Sequence, residues 1–280
     1  MIFANRKYTV LLILLASFNL VAQNGFDEQF DYAKKLFEVE NYFNAITELK
    51  RLQFFDSTGQ YTFKSDFLIG ECYKQGAKFS DAINYFVLAE LSAENTDELY
   101  SAKEEIIRTN ILRRTTSRAL ALLDSLEDDK QFDDKKDKIN YWRGWAYMFS
   151  NDWEKAVISF LKISNDHELK IVCEKTDDEM YSVGLAKGFS FIIPGAGQFY
   201  TGEYVSGLLS FGWNALWGYI TVSSFADERV FDGLMTGAFL WMRFYNGNLQ
   251  NAEKFALEKN LETSNNTLHY LQYEYTGLKP

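Results

Sequence analysis

Few side chains in this chain are of types and spacings that do chemistry. There are two histidines, His167 and His269, and two cysteines, Cys72 and Cys173. Neither histidine stands with cysteines or carboxylates at metal-ligand spacing, and no nucleophile is set beside a base. The most distinctive local motif is the glycine-rich stretch Ile193-Pro-Gly-Ala-Gly-Gln-Phe-Tyr-Thr-Gly-Glu203. A phosphate-cradling loop would need Gly-Lys-Ser or Gly-Lys-Thr ahead of a helix, and neither occurs. A dinucleotide fingerprint needs a strand before its glycines, where this chain has Pro194. Carboxylates are abundant, but they fall in surface runs such as Glu127 to Asp137, which reads as a solvated turn or an exposed helix end. The parts point away from an enzyme, and neither a cofactor nor a metal is expected.

Composition narrows the partners. The formal net charge is −10 and the sequence pI about 4.9, so the basic footprint that phosphate backbones require is missing and nucleic acid is not expected. Two cysteines make no disulfide framework. Cys72 lies in a helical apolar pattern, where a thiol acts as a small hydrophobe; pairing with Cys173 in an oxidising compartment stays open. Apolar residues make up 47% of the chain, and the only prolines are Pro194 and Pro280. Long proline-free stretches of this kind favour helices throughout.

Residues 1–22 have the layout of a secretory signal peptide. Arg6 and Lys7 precede an apolar core from Val10 to Leu15, and Leu20-Val-Ala22 offers a small residue for a cut near Ala22 or Gln23. An uncleaved anchor is the other reading, although the core is short and Asn19 interrupts it. No cysteine stands near the cut, so lipid attachment there is not expected.

The elements that carry any site are set by a repeat. Ala45, Ala82, Ala119 and Ala156 recur every 37 residues. Four residues after each stand Leu49, Phe86, Leu123 and Phe160. Twelve before stand Ala33, Gly70, Ile107 and Gly144, and nine before stand Leu36, Tyr73, Asn110 and Tyr147. Small residues on the first helix of a pair let the second approach, and the large residue one turn later covers the contact. With these residues, 26–165 resembles the tetratricopeptide repeat (TPR) family. Gly70, Tyr73, Phe79, Ala82, Phe86 and Ala89 match that family best, as do Gly144, Tyr147, Trp153, Ala156 and Phe160. The unit from Ile107 matches poorly, the period exceeds the family's usual 34 and the closing proline is absent. The resemblance implies a partner-binding groove on the first helices, carried over to Phe30, Lys34 and Phe37, to Phe67, Glu71 and Lys74, and to Tyr141, Trp145 and Met148. The same aromatics could instead pack between units.

From Val183 the composition turns apolar. Tyr204 to Ala226 hold no charge, and a second apolar run goes from Phe231 to Tyr245, broken by Asp232 and Arg243. The first run has the length of a bilayer span, and flanking aromatics suit interfacial belts. Gly207 and Gly212 on one helix, and Gly233 and Gly237 on the other, would allow close packing. The pattern of Pro194, Gly195, Gly197, Gln198, Tyr200 and Gly202, with Arg243 in the return segment, resembles small bacterial two-helix membrane domains over residues ~183–260. That resemblance implies a membrane hairpin and no agreed activity.

The expectation is therefore an all-α chain. A TPR-like helical-pair solenoid of about four units with a capping segment occupies 23–182, an apolar transmembrane helical hairpin 183–250, and an amphipathic or polar tail 251–280. The function expected is a membrane-tethered periplasmic scaffold at the inner membrane, touching lipid and binding a protein or peptide partner. The alternative is a subunit of an envelope transport or membrane/outer-membrane assembly complex; a third reading is an α-domain with no tether.

Overall fold

A computed structural model describes residues 25–280, and the expected signal segment lies outside them. Among the described residues all regular structure is helical, as expected. Contacts divide it into two compact units, one ending at Asn165 and the other running from Asp166 to Lys279.

The first unit is a helical repeat. Its helices are α1 (residues 25–38), α2 (Tyr42–Phe55), α3 (Thr62–Gln75), α4 (Phe79–Ser92), α5 (Thr96–Leu112), α6 (Thr116–Asp128), α7 (Lys136–Phe149) and α8 (Trp153–Leu161). From α2 onward each packs on the next, and α5 also touches both α3 and α7. The four alanines of the 37-residue period are fully buried, as are Leu49, Phe86, Leu123 and Phe160. Volume is balanced pair by pair. A Cβ placed on Gly70 would stand 2.6 Å from the Phe86 ring, and one on Gly144 2.3 Å from the Phe160 ring. Where the first position is Ala33 or Ile107, the second is Leu49 or Leu123, smaller than phenylalanine.

A second feature repeats with the same period. Glu40, Ala77, Arg114 and Asn151, each between the two helices of a pair, adopt left-handed φ of 61°, 55°, 61° and 61°. The next residue's N–H then reaches back to the carbonyls of Leu36, Tyr73, Asn110 and Tyr147 at 2.8, 2.8, 2.9 and 3.0 Å. These are helix-ending turns usually given to glycine, and only Asn151 is a type that tolerates the conformation easily. The charged run after α6 is a turn of 3₁₀ helix (Lys130–Lys135) anchored by Phe132, which is buried against Tyr100 with ring centres 5.7 Å apart.

The second unit holds α9 (Glu168–Asp178), α10 (Val183–Ile192), the short α11 (Ala196–Tyr200) and α12 (Tyr204–Ala226). Then α13 (Val230–Met235) runs through a π-helical turn, Thr236–Trp241, into α14 (Met242–Tyr273) without leaving helical geometry. The expected tail thus continues a helix. Residues 167–182, the end of the stretch expected to hold the repeat and its capping segment, group with the second unit. Thr176 and Thr267 hydroxyls meet at 3.0 Å, and the Asn260 side chain exchanges hydrogen bonds of 2.8 and 2.9 Å with the backbone of Tyr181.

The membrane hairpin requires correction. No helix among the described residues is long and apolar enough to cross a membrane, which overturns the transmembrane hairpin over 183–250 and the inner-membrane location built on it. Length is not what fails, since α12 has 23 residues. Its uncharged sequence is diluted by Asn214, Thr221, four serines and three glycines, whose polar groups or bare backbone forfeit apolar transfer energy. The second run fails sooner, because its helix passes directly into the polar segment after Tyr245.

Gly144→Ala should destabilise the first unit by ~1–2 kcal/mol despite alanine's better helix propensity, because the Phe160 ring has nowhere to move. Adding Phe160→Leu recreates the Ala33–Leu49 pairing and should recover most of the loss. Urea unfolding followed by circular dichroism decides it: additive effects of the two substitutions would refute the pairing.

Candidate functional site

Two constellations stand out, one in each unit. In the first unit, the inner helices of successive pairs share a charged band. Lys74 on α3 is buried and its Nζ contacts Glu105 on α5, while Glu71 lies 3.2 Å from the same ammonium. Glu105 also accepts from Arg108, whose guanidinium sits 4.9 Å from the centre of the Trp142 ring on α7. The Trp142 indole N–H donates to Glu104 at 2.7 Å. Helix spacing explains the order: residues three or four apart share a face, so Glu71 with Lys74, and Glu104 and Glu105 with Arg108, line up across the repeat.

Burial is the main influence on Glu71. It pushes the carboxyl up, the neighbouring Glu105 adds to this, and Lys74 only partly offsets both, leaving a value of about 7 against an ordinary 4.5. The band thus brings the carboxyls of Glu71 and Glu105 against the cations of Lys74 and Arg108, with Glu104 joined through Trp142 and the Glu71 carboxyl protonated through mildly acidic pH.

The residues carried over by analogy are placed unevenly. Lys34 is exposed; Phe30, Phe37, Phe67, Glu71 and Tyr141 are half-buried; Lys74, Trp145 and Met148 are buried. Phe30 packs on the Ala33–Leu49–Ile69 core, Phe67 on the Phe86 ring at 5.5 Å and Tyr141 on Phe160 at 6.0 Å. Most of these aromatics therefore pack between helices. The sequence reading named no residue from the third unit, although its own period does: 37 residues beyond Phe67 and Glu71 stand Glu104 and Arg108. The weak family match of that unit hid them.

In the second unit the Pro194–Gly202 motif is a buried knot of hydrogen bonds. Gln198 is fully buried. Its Oε1 accepts from Ser190 at 2.9 Å, and its Nε2 donates to the Asn248 carbonyl and side chain at 3.1 Å each. Asn248 Oδ1 also accepts from Gly195 N–H at 2.7 Å, and its Nδ2 donates to the Ser190 carbonyl at 2.9 Å. Gly197 N–H completes the ring by donating to Ser190 Oγ at 2.9 Å. Three glycines let the backbones close on it. A Cβ on Gly197 would stand 2.0 Å from the Ala186 carbonyl and one on Gly195 2.3 Å from that of Gly207, and Gly195 has φ +94°.

Further along, Gly233 packs under the Phe225 ring and Gly237 against Thr221, whereas Gly212 faces open space and packs nothing. Tyr200 accepts a hydrogen bond from Ser182 N–H at 3.1 Å, Pro194 borders a shallow groove with Phe211 and Trp241, and Arg243 is exposed. Serine, asparagine, glutamine and threonine fill this interior while Val205, Leu208, Leu209 and Phe231 face outward.

Nothing matches. Neither a family model, nor a curated protein, nor a solved structure resembles this chain closely enough to name it. No three His, Cys, Asp or Glu side chains among the described residues converge as metal ligands. Both cysteines are free and buried, and burial raises both thiols, Cys72 to about 12, so neither is poised as a nucleophile.

Three outcomes follow. Because the folded chain holds the Glu71 proton more tightly than the unfolded chain does, stability falls as pH rises from about 4.5 to about 7. Glu71→Gln mimics the protonated form, so its stability relative to the parent should rise across that window; parallel pH curves for the two proteins would sink the assignment. Gln198→Leu keeps volume but strands Ser190 and Asn248 partners, and should cost ~2–4 kcal/mol. Tyr200→Phe loses one partly exposed hydrogen bond and should cost under about 1 kcal/mol on the same thermal melt.

Proposed function

We propose that this chain is a non-catalytic, TPR-like scaffold whose repeat unit binds a protein or peptide along its inner helices. The observation that carries the reading is the charged band through Lys74, Glu105, Arg108 and Trp142, which links three successive pairs on one set of helices. Buried ion pairs add little net stability compared with apolar packing, so a helical repeat gains little by keeping one there for folding alone. Band residues left half-open, Glu71, Glu104 and Arg108, offer donors and acceptors to an extended segment, and half-buried Tyr141 on the same helices adds a ring. Exposed Lys34 adds a cation on the first inner helix.

A second reading, a subunit of a larger protein assembly, is favoured by the apolar exterior of the second unit. Val205, Leu208, Leu209, Tyr219, Val222 and Phe231 are each more than half exposed, and large apolar side chains turned outward in such number suit a contact face.

A photo-crosslinking residue placed at Lys34 or at Tyr141 should give one common adduct, competed by excess unlabelled chain. The same group at Phe43, 81% exposed on the outer helix α2, should give none. Equal labelling at all three positions would refute the inner-helix reading. Adducts from Val205 or Phe231 alone would replace it with the assembly reading.

A further inference from the structure

The uncharged helix α12 has two opposed stripes. Gly207, Asn214, Thr221 and Ser224 turn inward. On the other side Val205, Leu208, Gly212, Ala215, Tyr219 and Val222 are all exposed, Val205 by 74% and Tyr219 by 73%. Steps of three, four, three, four and three residues keep these six on one face, which is the spacing of a seam between paired helices. Monomeric proteins rarely leave an apolar stripe of this length open to water.

Side-chain size along the stripe is the same read from either end. Val205 corresponds to Val222, the large Leu208 to the large Tyr219, and the small Gly212 to the small Ala215. An interface between two copies about a twofold axis sets residue i against j and j against i, and so requires that symmetry; a face for an unlike protein does not. Gly212 supplies a second argument. Within a helix, glycine costs about 1 kcal/mol relative to alanine, and a Cβ there would meet nothing within 4 Å. The bare backbone serves nothing inside the protomer, but it lets a second helix cross closely at the middle of the stripe. With the flanking Leu209 and Leu216, the stripe presents roughly 800 Å², the share each partner buries in a standard stable interface. Charge sets the direction. Asp227 and Glu228 follow α12, and antiparallel copies bring them to the positive N-terminal end of the other helix, whereas parallel copies would set them against each other. Glu203, before α12, is already met by Lys259 at 3.8 Å.

We propose that α12 pairs antiparallel with α12 of a second copy of this chain, with Gly212 of each copy meeting Ala215 of the other. The helices come closest there, and Val205 and Leu208 cover Val222 and Tyr219 on either side. The proposal names the partner of the apolar exterior, so it rests on the assembly reading and is independent of the inner-helix band.

Sedimentation equilibrium of the full chain should show a monomer–dimer equilibrium with a micromolar or tighter dissociation constant. Gly212→Leu should weaken it about hundredfold, because the dimer carries the clash twice. Open space around Gly212 means that the melt of the dilute monomer should be no lower. Disulfide trapping between chains bearing tags of different size reads the direction, both native thiols being buried. Val205→Cys mixed with Val222→Cys should crosslink under mild oxidation. Either variant alone should not, because its two thiols would lie about 25 Å apart along the pair. Crosslinking of Val205→Cys with itself would show parallel pairing and overturn the proposal. So would an undiminished dimer in Gly212→Leu, or a parent chain that stays monomeric, whether or not it adsorbs to phosphatidylcholine vesicles. A monomeric chain that still gives Val205 photo-adducts with an unlike protein would overturn the second copy and keep the assembly reading, so the two fail separately.

Discussion

A Cβ on Gly144 would lie 2.3 Å from a buried phenylalanine ring, and one on Gly197 would lie 2.0 Å from a backbone carbonyl. Both numbers express one constraint, that helices in this protein meet at points with no room for a side chain. In the first unit the gap is filled by a ring from the neighbouring helix, so dispersion and burial hold the pair. In the second unit the gap is closed by backbone itself, and hydrogen bonds from Gln198, Asn248 and Ser190 hold it. The repeat and the knot both depend on that close approach.

The two units solve the problem of an interior in opposite ways. Alanines, leucines and phenylalanines fill the repeat, with the Lys74–Glu105 pair as a costly exception at its inner face. In the second unit Ser190, Gln198 and Asn248 hydrogen-bond one another inside while large apolar side chains face outward. Such a core gains little from water exclusion and much from geometry. Removing one member of its network is therefore expensive, because each amide serves two or three partners.

Glu71 ties the charge of the inner helices to their packing. Its carboxyl is held protonated in mildly acidic conditions by burial and by Glu105, so the charge of the inner face changes close to neutral pH. A partner that prefers one charge state would then bind with a pH dependence that originates between repeats.

The 37-residue spacing of Ala45, Ala82, Ala119 and Ala156 was enough to determine the helical pairs, since small residues at helical offsets have few other uses. The left-handed turns at Glu40, Ala77, Arg114 and Asn151 were illegible, because three of those residue types carry no turn signal and the backbone hydrogen bonds alone impose the geometry. Uncharged length in α12 suggested a membrane span, although its asparagine, threonine, serines and glycines leave it too polar to cross one. Only the tertiary structure decided that Asn214, Thr221 and Ser224 turn inward, and that Gln198 and Asn248 meet though 50 residues apart. Local periodicity is written along the chain; the pairing of polar atoms from distant helices depends on where each backbone comes to rest.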